Sequence, residues 1–182
     1  MKRLTTVWLR GVGALGAERS LSAASDGLRV HRYRVDGGAD EHLLWIEAPA
    51  GHDSGLSKLE LTPPAGEIFS FDLARDVGAR LKAPAPWLYI VHTDIPADVV
   101  DDYNAWYDEE HLPRLVGVPG IERARRYVAD GDLSPRYLTA YDLSIKDAFE
   151  SPAGLVARKT PWTERMRSLF QNTRRKMCAL QQ

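Results

Sequence analysis

Two short segments of this chain are similar in sequence, and this repeat limits the folds that the chain can adopt. His31–Gly37 reads HRYRVDG and Arg125–Gly131 reads RRYVADG. Each copy is a strand-like run that ends in Asp-Gly, a dipeptide typical of the tight turn between antiparallel strands. A second strand-like run follows each turn, at Leu43–Ile46 and Tyr137–Tyr141. The pattern predicts two related hairpins and favours an internal duplication over chance similarity.

The second half of the chain carries the pattern βαββαβ in full. Trp87–Asp94 is rich in aromatic and β-branched residues, which predicts a strand. Pro96 and the acids after it indicate the start of a helix that continues to about Leu112–Leu115. Further segments complete the pattern: a strand at Ile121–Val128, the hairpin, helical segments between Ile145 and Phe170, and a closing strand at Thr173–Leu180.

The first half repeats this order in a shortened form. Strands are expected at Thr5–Arg10 and Ile68–Leu73, on either side of the first hairpin. Only short helical segments fit between them, near Glu18–Ala24 and Ser54–Leu59, so this copy is predicted to be degenerate. A Pro-rich linker follows. We therefore predict an α+β chain with a degenerate half at 1–80, a linker at 81–86 and a complete half at 87–182.

Composition excludes several classes of partner and site. The chain has 24 basic and 25 acidic residues and a formal net charge of −1, so we expect neither a nucleic-acid nor a membrane partner. The basic clusters at 123–126 and 174–176 are interpreted as solvated strand faces. Cys178 is the one cysteine, which rules out an intrachain disulfide and a cysteine-based zinc site. Paired histidines at metal-ligand spacing are absent from the sequence, no signal peptide is evident, and a cytoplasmic location is expected.

The segment Asn104–Leu115 combines an apolar stripe with misplaced polar residues. At 100° per residue, Tyr103, Trp106 and Tyr107 share one face of the predicted helix. Glu110 falls in the middle of that stripe with Arg114 beside it, and His111 falls at its edge. Buried charges require partners. Two interpretations stay open here. Glu110 and Arg114 form an ion pair while His111 bonds a backbone carbonyl, or His111 and Glu110 face a wet cavity and act on a ligand.

Several motifs of the second half resemble one known superfamily. They are Asn104-x-Trp106-Tyr107-x-x-Glu110-His111-Leu112-Pro113, Val118-Pro119-Gly120, Arg126-Tyr127 and Tyr137-Leu138. Over about residues 87–180 the chain resembles the dimeric α+β barrel proteins, and among them the EthD-like branch. The resemblance implies two ferredoxin-like halves in a barrel-type architecture. The superfamily is similar in architecture to polyketide cyclases, muconolactone isomerases and cofactor-independent monooxygenases, and it also holds stress-responsive proteins without known chemistry.

The resemblance implies a role for His111 and for the strand tyrosines Tyr127 and Tyr141, and the residue pattern suggests the other candidates. His111 matches the helix histidine that transfers protons in several of these enzymes, and Glu110 is expected to assist it. The expected substrate-binding residues are Asn104, Trp106, Tyr107, Arg114, Tyr127, Tyr141 and His92. His92 could instead be a surface histidine at a strand end. Nothing around His92 or His111 singles out a heme ligand, so no cofactor is expected.

Three functions follow as hypotheses. The first is a cofactor-independent isomerase, cyclase or lyase that uses His111 as general acid/base on a small carbonyl-containing or aromatic molecule. The second is a non-catalytic small-ligand-binding or stress-responsive barrel. The third is a cofactor-free monooxygenase. The expected partner in each case is a small molecule, and the resemblance allows a homodimer. Because one fold hosts many activities, the choice requires a site.

Overall fold

The computed structural model describes residues 2–10, 28–38, 40–49 and 66–181, and in them eight antiparallel strands close into one barrel. The strands are β1 (Arg3–Arg10), β2 (Arg29–Val35), β3 (Glu41–Ala48), β4 (Gly66–Gly78), β5 (Trp87–Asp94), β6 (Ile121–Ala129), β7 (Tyr137–Leu143) and β8 (Gln171–Leu180). Their order around the barrel is β1-β3-β2-β8-β5-β7-β6-β4.

The barrel consists of two units with the same strand order. Strands β4-β1-β3-β2 form one unit and β8-β5-β7-β6 form the other, so each has the ferredoxin-like order 4-1-3-2. The units join where β2 pairs with β8 and where β4 pairs with β6. Both predicted hairpin turns contain a glycine with left-handed backbone, Gly37 at φ 72° and Gly131 at φ 74°, a conformation that favours glycine. The predicted α+β, ferredoxin-like fold is thus confirmed, and the two halves pair within one chain.

The predicted boundaries of the two halves, at residue 80 and residue 87, remain a prediction. Residues 79–86 connect β4 to β5 without a helix or strand. The short helices expected at 18–24 and 54–59 lie outside the described residues.

A helical layer covers the outer face of the second unit. After a 3₁₀ turn at Ala97–Val99 come α1 (Val100–Ala105), a π-helical turn (Trp106–His111) and α2 (Leu112–Val116). A 3₁₀ turn at Ala148–Glu150 precedes α3 (Pro152–Ala157) and α4 (Pro161–Ser168). Both of these helices begin with a capped proline turn, because Ser151 and Thr160 each accept a backbone N–H three residues on. In the described part of the chain, no helix is long and apolar enough to cross a membrane.

Strand alternation separates two cores in the second unit. Ile90 and Tyr127 point into the barrel, where they pack with residues of the first unit such as Trp45 and Phe71. Val91 and Tyr141 point outward and pack under the helices. Side chains of neighbouring residues on a strand face opposite sides of the sheet, so the two tyrosines proposed to bind one substrate lie in different cores.

The interpretation of the basic clusters as solvated strand faces was wrong for two of their members. Arg125 is 4% exposed and Arg126 is 3% exposed. Arg125 points into the barrel and bonds Glu47 and Asp142. Arg126 points outward under the helices, over the rings of Tyr103, Tyr107 and Tyr137. Both guanidiniums are buried because aromatic faces and acids that are remote in sequence meet them there.

Candidate functional site

A small pocket lies between the helical layer and the outer face of the second unit, here called the helix–sheet pocket. Trp106, Tyr107 and His111 form its helical wall, and Tyr89, Val91 and Tyr141 form its sheet wall. Phe149, Arg158, Arg167, Phe170 and Arg175 complete it. The pocket brings together four of the predicted site residues: His111, Trp106, Tyr107 and Tyr141.

The π-helical turn decides which side chain faces this pocket. In a regular α-helix Glu110 would lie in the apolar stripe and His111 at its edge. The wider turn, in which hydrogen bonds span five residues, shifts the later residues around the axis. His111 is consequently buried, at 5% exposure, beside Trp106 and Tyr107. π-helical turns are frequent at functional sites.

Aromatic rings hold the imidazole of His111 in place. The Trp106 ring stacks on it with 4.1 Å between centroids, and Tyr107 meets it edge-on at 5.3 Å. Its Nδ1 atom is buried and has no hydrogen-bond partner. Burial, and secondarily the positive charge of Arg167, lower the pKa of His111 to about 3. The ring is therefore uncharged at neutral pH.

Phenolic hydroxyls lie on both walls of the pocket. The Tyr107 hydroxyl accepts a hydrogen bond of 3.0 Å from Thr139. Burial, and then the neighbouring Tyr107, raise the pKa of Tyr141 well above its ordinary value. Burial also raises the pKa of Tyr89. The hydroxyls of Tyr141 and Tyr89 are therefore able to donate or accept hydrogen bonds without carrying charge.

Three arginines give the pocket its positive charge. Arg158 pairs with Glu150 at 2.9 Å, whereas no carboxylate in the described part of the chain pairs with Arg167 or Arg175. Burial, followed by repulsion from Arg158 and Arg175, lowers the pKa of Arg167. Closely spaced cations of this kind favour the binding of an anion.

Glu110 and Arg114 do not line the pocket and do not pair with each other. The Glu110 carboxylate accepts a 2.6 Å hydrogen bond from the Thr160 hydroxyl. Arg114 donates to the carbonyls of Ala157 and Val156 at 3.0 and 3.2 Å. The ion pair of the first interpretation does not form, because both side chains have other partners that fix the loop around α3 and α4.

Asn104 is also outside the pocket. Its Oδ1 accepts a hydrogen bond from the buried guanidinium of Arg126, which ties α1 to β6. This contact positions the helix whose next turn carries Trp106 and His111.

The two remaining predicted site residues lie inside the barrel. Tyr127 packs edge-on against Trp45 at 5.7 Å. His92 is 4% exposed and meets the rings of Trp8, Phe69 and Phe71 edge-on, so it is not a surface histidine. Its Nε2 atom has no partner, and burial lowers its pKa to about 4. A second small pocket at this end of the barrel includes His92 in its wall.

No local sequence pattern pointed to the arginines of the helix–sheet pocket. Arg158, Arg167 and Arg175 come from three separate segments and meet only after folding. In the described part of the chain, no group of three or more His, Cys, Asp and Glu side chains is arranged to hold a metal ion.

Comparison with known proteins places the fold. No family model matches the chain, and no curated protein matches its sequence. Solved structures do match. A monooxygenase-like protein from Listeria innocua is 12% identical, with 100% of this chain and 95% of that chain covered and a TM-score of 0.68. A second match is an uncharacterised ferredoxin-fold protein from Listeria monocytogenes that is related to antibiotic biosynthesis monooxygenases. It is 13% identical, with 100% of this chain and 95% of that chain covered and a TM-score of 0.67.

A heme-degrading enzyme from Listeria monocytogenes is 11% identical over 98% of this chain and 99% of that chain, with a TM-score of 0.64. At these identities the similarity concerns the fold. The chain therefore has the ferredoxin-like, dimeric α+β barrel fold of such proteins.

The space in the helix–sheet pocket limits what it holds in this conformation. About 40 Å³ is open, which is room for a few waters at roughly 10–15 Å³ each. Pockets for drug-sized ligands are about 300–1,000 Å³. A porphyrin does not fit. A single ring requires the side chains at the rim, such as those of Arg167 and Phe170, to turn aside.

Proposed function

We propose that the helix–sheet pocket binds a small planar anion, aromatic or carbonyl-containing, and that His111 transfers a proton at this molecule. One observation carries the proposal. An uncharged imidazole with a partnerless nitrogen shares an aromatic pocket with Arg167 and Arg175, which have no carboxylate partner in the described residues.

The arginines determine the charge of the ligand. An anion that enters between Arg158, Arg167 and Arg175 relieves the repulsion that lowers the pKa of Arg167. A guanidinium binds a carboxylate or phenolate with charge-assisted hydrogen bonds. The aromatic walls favour a flat ligand, because rings stack or pack edge-on against such surfaces.

The neutral imidazole determines the role of His111. At neutral pH the imidazole of the free protein is uncharged. It is therefore not an imidazolium that could donate a proton, and it acts first as a base. Removal of a proton next to a carbonyl creates an imidazolium beside a delocalised anion. Their attraction in a poorly solvated pocket offsets the cost of charging the buried ring. In this proposal Tyr107 and Tyr141 hydrogen-bond the developing oxyanion. An isomerisation, cyclisation or lyase reaction of this type needs no cofactor.

A cofactor-free oxygenation is the second candidate, because solved structures with this fold include a monooxygenase-like protein. His111 would remove a proton from an activated CH₂ group, and O₂ would oxidise the resulting carbanion. The CH₂ group and O₂ then yield a carbonyl and one water. Oxygen consumption equal to product formed distinguishes this reaction from an isomerisation.

Deuterium exchange tests the proton transfer without knowledge of the complete reaction. The protein is incubated in D₂O with a panel of aromatic keto acids and phenolic ketones, and deuterium at the carbon next to the carbonyl is measured by mass spectrometry. The wild-type protein is expected to accelerate exchange for at least one anionic member. General acid/base catalysis typically contributes about 10²–10⁴-fold, so His111→Phe should remove about that factor.

His42→Gln is the matched control, because His42 lies on β3 outside the pocket. It should exchange at the wild-type rate. Exchange that survives His111→Phe would contradict the proposed role of His111. Binding of the panel without any exchange would instead leave a ligand-binding protein, the non-catalytic hypothesis.

A further inference from the structure

A third cavity lies inside the barrel, at the end that residues 81–84 cover, and is here called the barrel-mouth cavity. Its open space is about 280 Å³, far more than the roughly 10–15 Å³ that one water requires. Strands of both units form it, and none of its residues belongs to the helix–sheet pocket. Nothing in the proposed proton transfer uses it.

Buried charged groups form the floor of this cavity. Arg125 Nη2 donates to Asp142 Oδ1 at 2.8 Å, and its Nη1 donates to Glu47. The guanidinium also lies 4.9 Å from the centre of the Trp45 ring. One cation thus faces two carboxylates, which leaves the floor with an excess of negative charge and with acceptor atoms.

The floor is incompletely satisfied. Asp142 is 3% exposed, and its Oδ2 atom is buried without a hydrogen-bond partner. A buried carboxylate oxygen without a donor is costly. Burial raises the pKa of Asp142, which agrees with this cost. A ligand that donates an N–H or O–H hydrogen bond to this oxygen would remove that energetic cost.

Exposed cations line the mouth of the cavity. Arg29 and Lys82 are exposed and line the mouth. Arg123 lies there too, but Asp76 neutralises it through two hydrogen bonds of 2.7 Å. His31 adds no charge at neutral pH, since burial lowers its pKa. The mouth therefore attracts an anionic group, while the floor requires a donor.

We propose that the barrel-mouth cavity is a binding site for a short carboxylate that carries an amino or hydroxyl group at its other end. The amino or hydroxyl group donates to Asp142 Oδ2 on the floor, and the carboxylate lies between Arg29 and Lys82 at the mouth. The space is close to the lower end of the range for small-molecule pockets, about 300 Å³, which suits an unbranched chain of a few carbons.

Calorimetry with matched ligands tests this site. The panel contains ω-amino carboxylates from glycine to 6-aminohexanoate, their ω-hydroxy counterparts, and plain carboxylates of equal length. The amino or hydroxy compound of the best length should bind at least about tenfold more tightly than its plain counterpart, a difference of about 1.4 kcal/mol. A plain carboxylate that binds equally well, or a panel of which no member binds, would overturn the proposal.

Two variants assign the ends of the ligand. The Arg29→Gln/Lys82→Gln variant changes only exposed side chains and should weaken the best ligand by about tenfold or more. Asp142→Asn replaces the free acceptor with a donor and should abolish the preference for amino and hydroxy compounds. Lys159→Gln, exposed and outside the cavity, should bind as the wild type does. Wild-type affinity in the Arg29→Gln/Lys82→Gln variant would refute the proposed orientation even if Asp142→Asn does not fold.

Discussion

The indole ring of Trp106 stacks on the imidazole ring of His111, with 27° between their planes. A 3.2 Å hydrogen bond from Trp106 Nε1 to the Thr163 hydroxyl fixes the indole to α4. The hydrogen bond from Thr160 to Glu110 ties the same turn to the start of that helix. These contacts hold the π-helical turn against α4, and they keep His111 on the pocket wall in its uncharged form.

Substitution of His111 should separate packing from chemistry. His111→Ala removes a buried, stacked ring and should lower the free energy of unfolding by about 2–4 kcal/mol, as truncation of buried rings does. His111→Phe preserves a flat ring and removes the partnerless Nδ1, so its stability should stay within about 1 kcal/mol of wild type. Urea unfolding at pH 7 measures both. Equal losses in the two variants would show that a nitrogen of His111 has a structural bond.

The two buried histidines should make the protein sensitive to mild acid. The pKa values of His111 and His92 are lowered to about 3 and about 4, from an ordinary 6.5. At pH values between each lowered pKa and the ordinary 6.5, the unfolded chain binds protons that the folded protein does not. Stability contributed by the neutral rings is therefore complete above pH 6.5 and falls as the pH is lowered from there.

His92→Phe tests the acid sensitivity at one ring. The site is apolar and aromatic, with Trp8, Phe69 and Phe71 around it. The variant should be as stable as wild type or more stable at pH 7, and should lose less stability between pH 7 and pH 5. Chemical denaturation at the two pH values gives the comparison. The same loss in variant and wild type would mean that His92 is not responsible.

Gly154 in α3 should not tolerate a methyl group. A Cβ atom there would collide with the carbonyl oxygen of Ala148 and approach that of Phe149 to 2.6 Å. Helix propensity alone favours alanine by about 1 kcal/mol, but the collision should make Gly154→Ala destabilising by about 1–3 kcal/mol. Because Phe149 and Arg158 flank this helix, ligand affinity at the helix–sheet pocket should fall as well.

Gly117→Ala is the control for this effect. Gly117 has φ −80°, and its added Cβ would meet only ordinary contacts, the nearest at 3.4 Å. Thermal unfolding should place this variant within about 1 kcal/mol of wild type or slightly above it. A Gly154→Ala variant more stable than wild type would contradict the packing described between α3 and the turn at Ala148–Glu150.

Arg125→Met should be strongly destabilising. The substitution leaves Asp142 and Glu47 without the guanidinium that both contact. Loss of one partner from a buried ion pair costs about 3–5 kcal/mol. Arg165→Met removes the exposed pair with Asp102 and should cost less than about 1 kcal/mol. Urea unfolding measures the free energy of unfolding of both variants. Equal losses of this free energy in Arg125→Met and Arg165→Met would show that water reaches the Arg125 network freely.

The sequence anticipated the fold better than the site. Alternation, turn dipeptides and a proline at a helix start are local signals, and they located the hairpins, β5, β8 and the start of the helix after Pro96 within a few residues. Tyr103, Trp106 and Tyr107 were expected on a buried face and are buried. Such signals suffice because each depends on residues that are adjacent in the chain.

The site depends on features that local patterns do not contain. A π-helical turn changes the angular spacing, so the positions of Glu110 and His111 relative to the stripe were interchanged. The sheet face of Tyr127 and Tyr141 follows from register, which the sequence alone left open. Arg125 and Arg126 resemble a surface cluster in sequence, and only the remote Asp142, Glu47 and Tyr137 explain their burial.

The imidazole ¹⁵N signals of His111, measured by NMR at pH 7 with and without phenolic carboxylates, report directly on the proposed role of this ring. We expect an uncharged ring in the free protein. When one of these carboxylates binds, the two ring nitrogen signals of His111 should change, while the backbone amide of His111 and the ring of His42 should not. A cationic His111 in the free protein, or His111 signals that none of these carboxylates changes, would contradict the proposed role.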